Sequence, residues 1–184
     1  MVRTIDSYFH RKPSADAPGS GLTALQTKAD HGDADAQFSL GLRYSNAEGN
    51  ELDFVQAAQW YRKAADQDHA LAQFNLGVMF TRGQGMPQDE ATGADWMRKA
   101  AEGGDAGGQY HLGMRCHRAS VNTMRPDAME SRIEAYKWFH LASVQGYGES
   151  LTARQRVTIT MTRAEVDEGN RRAVAFTIRK SANP

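Results

Sequence analysis

The residue types best suited to chemistry gather in one stretch, from His111 through Arg115, Cys116 and His117 to Arg118. A thiol beside arginines and histidines can act as a nucleophile, because nearby positive charge stabilises the thiolate. Cysteine and histidine together can also hold zinc. The spacing opposes the metal use, and the register of Cys116, given below, opposes the nucleophile. His111 lies five residues before Cys116 and six before His117. On a helix those steps turn the side chains apart by about 140° and 240°. No C-x-x-C, H-E-x-x-H or H-x-x-x-H pattern occurs, so neither a metal nor a cofactor is expected. A P-loop, a G-x-S-x-G elbow and a G-x-G-x-x-G are missing, and no serine has a lysine three positions later. The paired carboxylates Asp33/Asp35 and Asp66/Asp68 read as helix-junction acids that favour the positive end of the next helix. No catalytic residue is assigned, and the chain is not expected to be an enzyme.

The elements that carry this stretch repeat. Gly41, Gly77 and Gly113 follow Leu40, Leu76 and Leu112, and each step is 36 residues. Alanines keep the same register at 34, 70 and 106 and at 29, 65 and 101. A fixed period of this size marks an array of paired helices. Ala36, Leu40 and Tyr44, then Ala72, Leu76 and Phe80, follow helical spacing along the first helix of each pair. Cys116 falls in register with Tyr44 and Phe80, so a small core residue is the simplest reading of it. Ala57, Trp60, Tyr61, Ala64 and Ala65 form one apolar face of the second helix, matched by Gly93, Trp96, Met97, Ala100 and Ala101, and by Ala135, Trp138, Phe139 and Ala142. The recurring glycine costs about 1 kcal/mol in a helix, which predicts a close helix approach with the tryptophan filling the space around it. Asp89, and Asp53 one period earlier, are expected to cap the second helices.

L-G-x-x-Y/F, a glycine-rich loop, an aspartate cap and W-x-x-K-A-A at this period resemble the Sel-one-like repeats, a branch of the tetratricopeptide superfamily. The likeness is strongest over residues 70–106 and runs from 20 to about 153. It implies an all-α, tetratricopeptide-like αα superhelix, or α-solenoid. Three repeats fill 34–147, a leading half-repeat helix fills 20–33, and capping helices fill 148–184. Similar terminal helices close many bacterial members. Residues 1–19, with Pro13, Pro18 and Gly19 among charged residues, read as a flexible tail whose Ile5, Tyr8 and Phe9 are available to dock. Repeat three departs in two ways. Its first-helix glycine stands 25 residues before its tryptophan, against 19 in the others, and Leu141 replaces the lysine found at 63 and 99. The segment after Gly148 is expected to cover that leucine: Thr162 and Glu165 form a capping box opening a helix to about Arg179, with Val166, Ala173, Phe176 and Thr177 inward.

The 22 basic and 22 acidic side chains cancel, which argues against bulk capture of nucleic acid or a membrane surface. One cysteine excludes an intrachain disulfide, and no apolar run has signal-peptide or membrane-span length. A soluble, cytoplasmic protein is expected.

Binding is therefore the expected role. In tetratricopeptide-like arrays the first helices line the concave side, which by position brings together Phe38, Phe74 and Tyr110, then Leu42, Val78 and Met114. An aromatic row beside an aliphatic row suits a peptide or helix; inter-repeat core is the alternative reading. The more variable positions are better candidates: Asp35, Leu71 and Gly107, then Ser39, Asn75 and His111, then Arg43, Met79 and Arg115. The enlarged loop of repeat three offers Arg115, His117, Arg118, Arg125 and Arg132 beside Met124 and Met129 for an acidic peptide or phosphate; a solvated insertion is the alternative. The expected function is a non-catalytic protein–protein interaction adaptor or scaffold of unknown partner. A small-ligand or glycan-binding module, a hydrolase of β-lactam or cell-wall type, and weak self-association are the other readings. Some secreted, cysteine-rich relatives are linked to β-lactam binding, but their cysteine pairs are absent here.

Overall fold

A computed structural model describes residues 20–46, 51–122, 124 and 126–182. The expected tail, residues 1–19, and Arg125 lie outside the described residues. Among the described residues there are nine helices and no strand. They are α1 (Ser20–Asp30), α2 (Ala34–Ser45), α3 (Glu51–Ala65), α4 (Ala70–Arg82), α5 (Glu90–Glu102), α6 (Ala106–Ser120), α7 (Ala128–Val144), α8 (Ser150–Thr158) and α9 (Arg163–Ala182). The chain divides into two compact units, Met1–Gly103 and Gly104–Pro184.

In the first unit each helix packs on the next, from α1 to α5. The predicted apolar faces are the core: Ala57, Trp60, Tyr61, Ala64 and Ala65 on α3 and Gly93, Trp96, Met97, Ala100 and Ala101 on α5 are all buried. The glycines do allow close approach, but the neighbour differs from the one expected. A Cβ on Gly41 would meet the ring of Tyr61 at 2.5 Å, and one on Gly77 would meet Met97 at 2.8 Å and the Gly93 carbonyl at 2.9 Å. The residue after each tryptophan, rather than the tryptophan, fills the space, because it points directly at the partner helix one step round the 3.6-residue turn. Each tryptophan instead lies under a lysine. Lys63 Nζ sits 3.8 Å from the Trp60 ring centre and Lys99 Nζ 4.2 Å from that of Trp96, while Arg62 bridges Phe80 and Trp96. The lysines are exposed, and cation–π contacts at such sites are worth about 0.5–1 kcal/mol each.

Asp89 caps α5 as predicted, accepting from the Ala91 and Thr92 N–H groups at 3.0 Å. Asp53 does not cap α3, because it lies inside that helix. Glu51 and Leu52 are good helix formers where repeat two has Pro87 and Gln88, so α3 starts earlier.

In the second unit α7 packs on α6, α8 and α9. Gly113 meets the Phe139 ring, 2.7 Å from an ideal Cβ. Trp138 is 5% exposed, lies 4.1 Å from Lys137 Nζ, and meets Phe176 of α9 edge-on at 5.4 Å. Gly169 brings α9 against Tyr136, whose hydroxyl donates to Asn170 at 3.0 Å. The capping box forms: Thr162 N–H donates to Glu165 at 2.6 Å, and Glu165 N–H donates to the Thr162 hydroxyl at 3.3 Å. Leu141 is buried beside α9. Ala173 and Phe176 point inward, but Thr177 is exposed.

Candidate functional site

The first helices present their candidate residues unequally. On α2, Phe38 and Leu42 are half-buried, and both pack against the cluster of Tyr61 and Leu76. Phe38 stacks on the His69 imidazole, with ring centres 4.7 Å apart. Asp35 and Arg43 are exposed and Ser39 is half-buried. His69 Nε2 lies 3.1 Å from Asp35 Oδ1. The Ser39 hydroxyl donates to the Asp35 carbonyl. Arg43 borders an open groove of about 510 Å³ with Leu22, Gln26, Tyr44 and Asp53.

The equivalent residues of α4 are withdrawn. Phe74, Asn75 and Val78 are buried, and Leu71 is half-buried. Phe74 and Val78 cluster with Met97 and Ala100. Asn75 hydrogen-bonds Tyr61, which also pairs with Ser45 at 3.0 Å. Burial pushes the Tyr61 hydroxyl up to about 12, and the two hydrogen bonds only partly oppose it. In this repeat the aromatic and aliphatic columns belong to the core, the alternative already weighed for them.

In the second unit Tyr110 is half-buried against Phe139 and Tyr147, at 5.8 and 5.5 Å. Burial raises its hydroxyl, helped by Glu149 and opposed by Arg156. His111 is half-buried and edge-on to Tyr110. Met114, Arg115 and Arg118 are exposed, as are Val121, Met124 and Met129 after them. His117 is half-buried beside Phe139, with its Nδ1 buried and lacking a hydrogen-bond partner. Cys116 is half-buried and packs against the cluster of Tyr136, Phe139 and Val157 at the edge of the core. Leu112 is half-buried where Leu40 and Leu76 are fully buried. Arg132 does not join the loop's basic group. Its guanidinium binds Glu165 at 2.6 Å, a partner 33 residues on that no local pattern announces. Burial alone would raise the Glu165 carboxyl, but the Thr162 N–H, Arg132 and the Thr162 hydroxyl outweigh it and hold it low. Between α7 and α9 runs an open groove of about 580 Å³, floored by Leu141, Val144, Val174, Phe176 and Ile178.

Sequence reasoning missed a column of buried glutamines. Gln37, Gln73 and Gln109 recur at the 36-residue period and are 5%, 3% and 1% exposed. Gln37 donates to the Ala29 carbonyl and Gln73 to that of Ala65, at 3.0 and 3.1 Å, so each first helix satisfies a carbonyl at the end of the preceding helix. Gln109 accepts from Gln145 at 2.9 Å. The period itself was the available signal.

Among the described residues no group of three or more histidine, cysteine or acidic side chains is placed to hold a metal. No helix among them is long and apolar enough to cross a membrane. Apolar side chains remain half-buried or exposed on α2 at Phe38 and Leu42 and on α6 at Tyr110 and Met114.

A family model, the Sel1 repeat, matches residues 34–69, 70–105 and 106–147. Two solved structures are similar. One is a protective antigen of uropathogenic Escherichia coli strains displaying an SLR fold; it is 28% identical, with a TM-score of 0.69, covering 92% of this chain and 36% of that one. The other is a Sel1 repeat protein from Oxalobacter formigenes; it is 33% identical, with a TM-score of 0.61, covering 74% of this chain and 98% of that one. This chain thus spans about a third of the antigen's length. No curated protein matches it.

Proposed function

The chain belongs to the Sel1 repeat family, and on that premise we propose that it is a non-catalytic adaptor that binds a protein or peptide segment through the inner faces of its first helices. One observation carries this reading. The apolar pairs Phe38/Leu42 and Tyr110/Met114 remain accessible at 36-residue-periodic positions, flanked by exposed Asp35, Arg43, Arg115 and Arg118. A half-exposed aromatic beside an aliphatic side chain, rimmed by charge, is the composition of a contact surface with an anchoring centre. The family's general use in protein interaction agrees with it.

The basic and methionine-bearing stretch from Met114 to Met129 extends the surface on the second unit. Arg115 and Arg118 suit an acidic segment, and exposed methionines adapt to apolar neighbours. Affinity capture from the source cells tests the reading with three proteins: wild type, Leu42→Ala/Arg43→Glu, and Met114→Glu/Arg118→Glu. These sites are exposed or half-buried, so the fold is retained, which circular dichroism checks. A partner captured by wild type and lost with either double variant supports the adaptor. Capture that is identical for all three folded proteins contradicts it.

A further inference from the structure

The cap positions of the three first helices are Asp33, His69 and Asp105, one period apart. All three do the same job. Asp33 accepts from the Ala36 N–H at 2.8 Å, His69 Nδ1 from the Ala72 N–H at 3.2 Å, and Asp105 from the Gly108 N–H at 2.7 Å. We propose that His69 is a proton-responsive helix cap, which acidification disengages so that the first turn of α4 loosens from α2.

The geometry selects one form of the ring. An imidazole nitrogen accepts a hydrogen bond only when it carries no proton. Nδ1 accepts from Ala72, so the proton resides on Nε2, and Nε2 faces the Asp35 carboxylate at 3.1 Å. Both bonds call for the same neutral tautomer, and stacking on Phe38 fixes the ring plane. Adding a proton places an N–H on Nδ1 that points at the Ala72 N–H, donor against donor. It also places positive charge at the positive end of α4, whose first turn contains no acidic residue.

Two terms oppose release, the attraction of imidazolium to Asp35 and its cation–π contact with the Phe38 ring, which the imidazole retains in either state of the cap. The Asp35 side chain is 94% exposed, so that pair contributes little. The other charges near it in the chain are engaged elsewhere or solvated. Asp68 in the connection accepts from Gln73 at 3.3 Å, Asp66 is exposed, and Lys63 at the end of α3 lies over Trp60. An ionised carboxylate cap accepts with no ring proton to gain, so the Ala36 amide on Asp33 supplies the comparison; Asp105 does not, because burial pushes its carboxyl up to about 6.

Nitrogen-15 NMR of the imidazole, with amide exchange at Ala72 and Ala36, tests the proposal on the whole chain. The expected neutral form has its proton on Nε2. As pH is lowered through the His69 titration, the Ala72 protection factor falls about fivefold, the loss of one cap, against an intrinsic exchange rate that itself slows on acidification. Ala36, capped by Asp33, shows no step there, and neither does Ala72 in His69→Asn, whose amide oxygen caps regardless of pH. If His69→Asn does not fold, the Ala72 and Ala36 amides of the wild type supply the comparison alone. A neutral ring protonated on Nδ1, or Ala72 protection that follows Ala36 through the His69 titration, overturns the proposal.

Discussion

In the hairpin α4–α5 the helices meet backbone to backbone: a Cβ on Gly77 would lie 2.9 Å from the Gly93 carbonyl, and one on Gly93 2.8 Å from that of Gly77. In the hairpin α6–α7 the corresponding Gly113 faces the ring of Phe139. The first hairpin has a capped second helix, with Asp89 at its start, and its tryptophan lies under Lys99 and Arg62. The second has a longer connection. Asp127 makes no side-chain cap to α7, and Trp138 is held by Phe176 of α9. Around α7, Arg132 pairs with Glu165, and Arg172 binds Glu130, Glu134 and Glu168. One repeat plan therefore closes in two ways. Small residues and a local cap suffice inside the array, whereas the hairpin with the enlarged loop draws packing and charge from a helix that follows it.

The largest expected effect separates the two modes at their tryptophans. Trp138→Ala is expected to cost about 3–5 kcal/mol and to release α9, seen as amide exchange of α9 in step with α7. Trp96→Ala should cost a similar amount and leave α9 protected. Release of α9 by Trp96→Ala would break the comparison.

The glycines come next. Gly77→Ala meets backbone on the opposite helix and is expected to cost about 1–3 kcal/mol in thermal unfolding. Gly113→Ala meets a ring that can tilt and should cost less. The reverse order would show that the α4–α5 backbone yields more readily than the packed ring.

A pH series sharpens the comparison further. Burial pushes the Asp105 carboxyl up to about 6, with the Gly108 and Gly107 N–H groups only partly opposing it. The folded state then binds this proton more tightly than the unfolded chain, so the group's contribution to stability falls as pH rises from about 4 to 6 and is flat above. Glu165 runs the other way. Its lowered carboxyl gives stability above the ordinary range that is lost as pH falls through its folded value. Relative to Asp105→Asn, wild type should gain roughly 2 kcal/mol between pH 6 and 4. Parallel unfolding curves for the two proteins would refute the assignment.

The smallest effect is that of the α7–α9 charges. Arg172→Met should cost about 1 kcal/mol by chemical denaturation, because its side chain is 28% exposed and binds three carboxylates. Arg171→Met, at a side chain 75% exposed, should change stability by less than about 0.5 kcal/mol.

Most of the fold is legible in the sequence, because apolar faces at helical spacing must be buried and the 36-residue register places them together. The residues Trp60, Trp96 and Trp138, the Asp89 cap and the Thr162–Glu165 box follow from local pattern. Asp53 misled because capping depends on where the helix starts, and helix formers at 51 and 52 moved that start. The candidate surface was less legible. Phe38, Phe74 and Tyr110 occupy one register position, and the repeat alone does not distinguish which of them its surroundings bury. Arg132 and Leu141 depended on partners in α9, beyond the reach of any short motif. The glutamine column and the His69 cap were present in the register all along, as polar residues at fixed intervals.

The most direct test of the account places a photo-crosslinking amino acid at Arg43 and Met114 on the first helices, and at Gln59 and Arg98 on the exposed sides of the second helices. The account predicts that the first two positions crosslink a partner protein in the source cells and that the last two do not. Crosslinks from Gln59 and Arg98, with none from Arg43 and Met114, would contradict it.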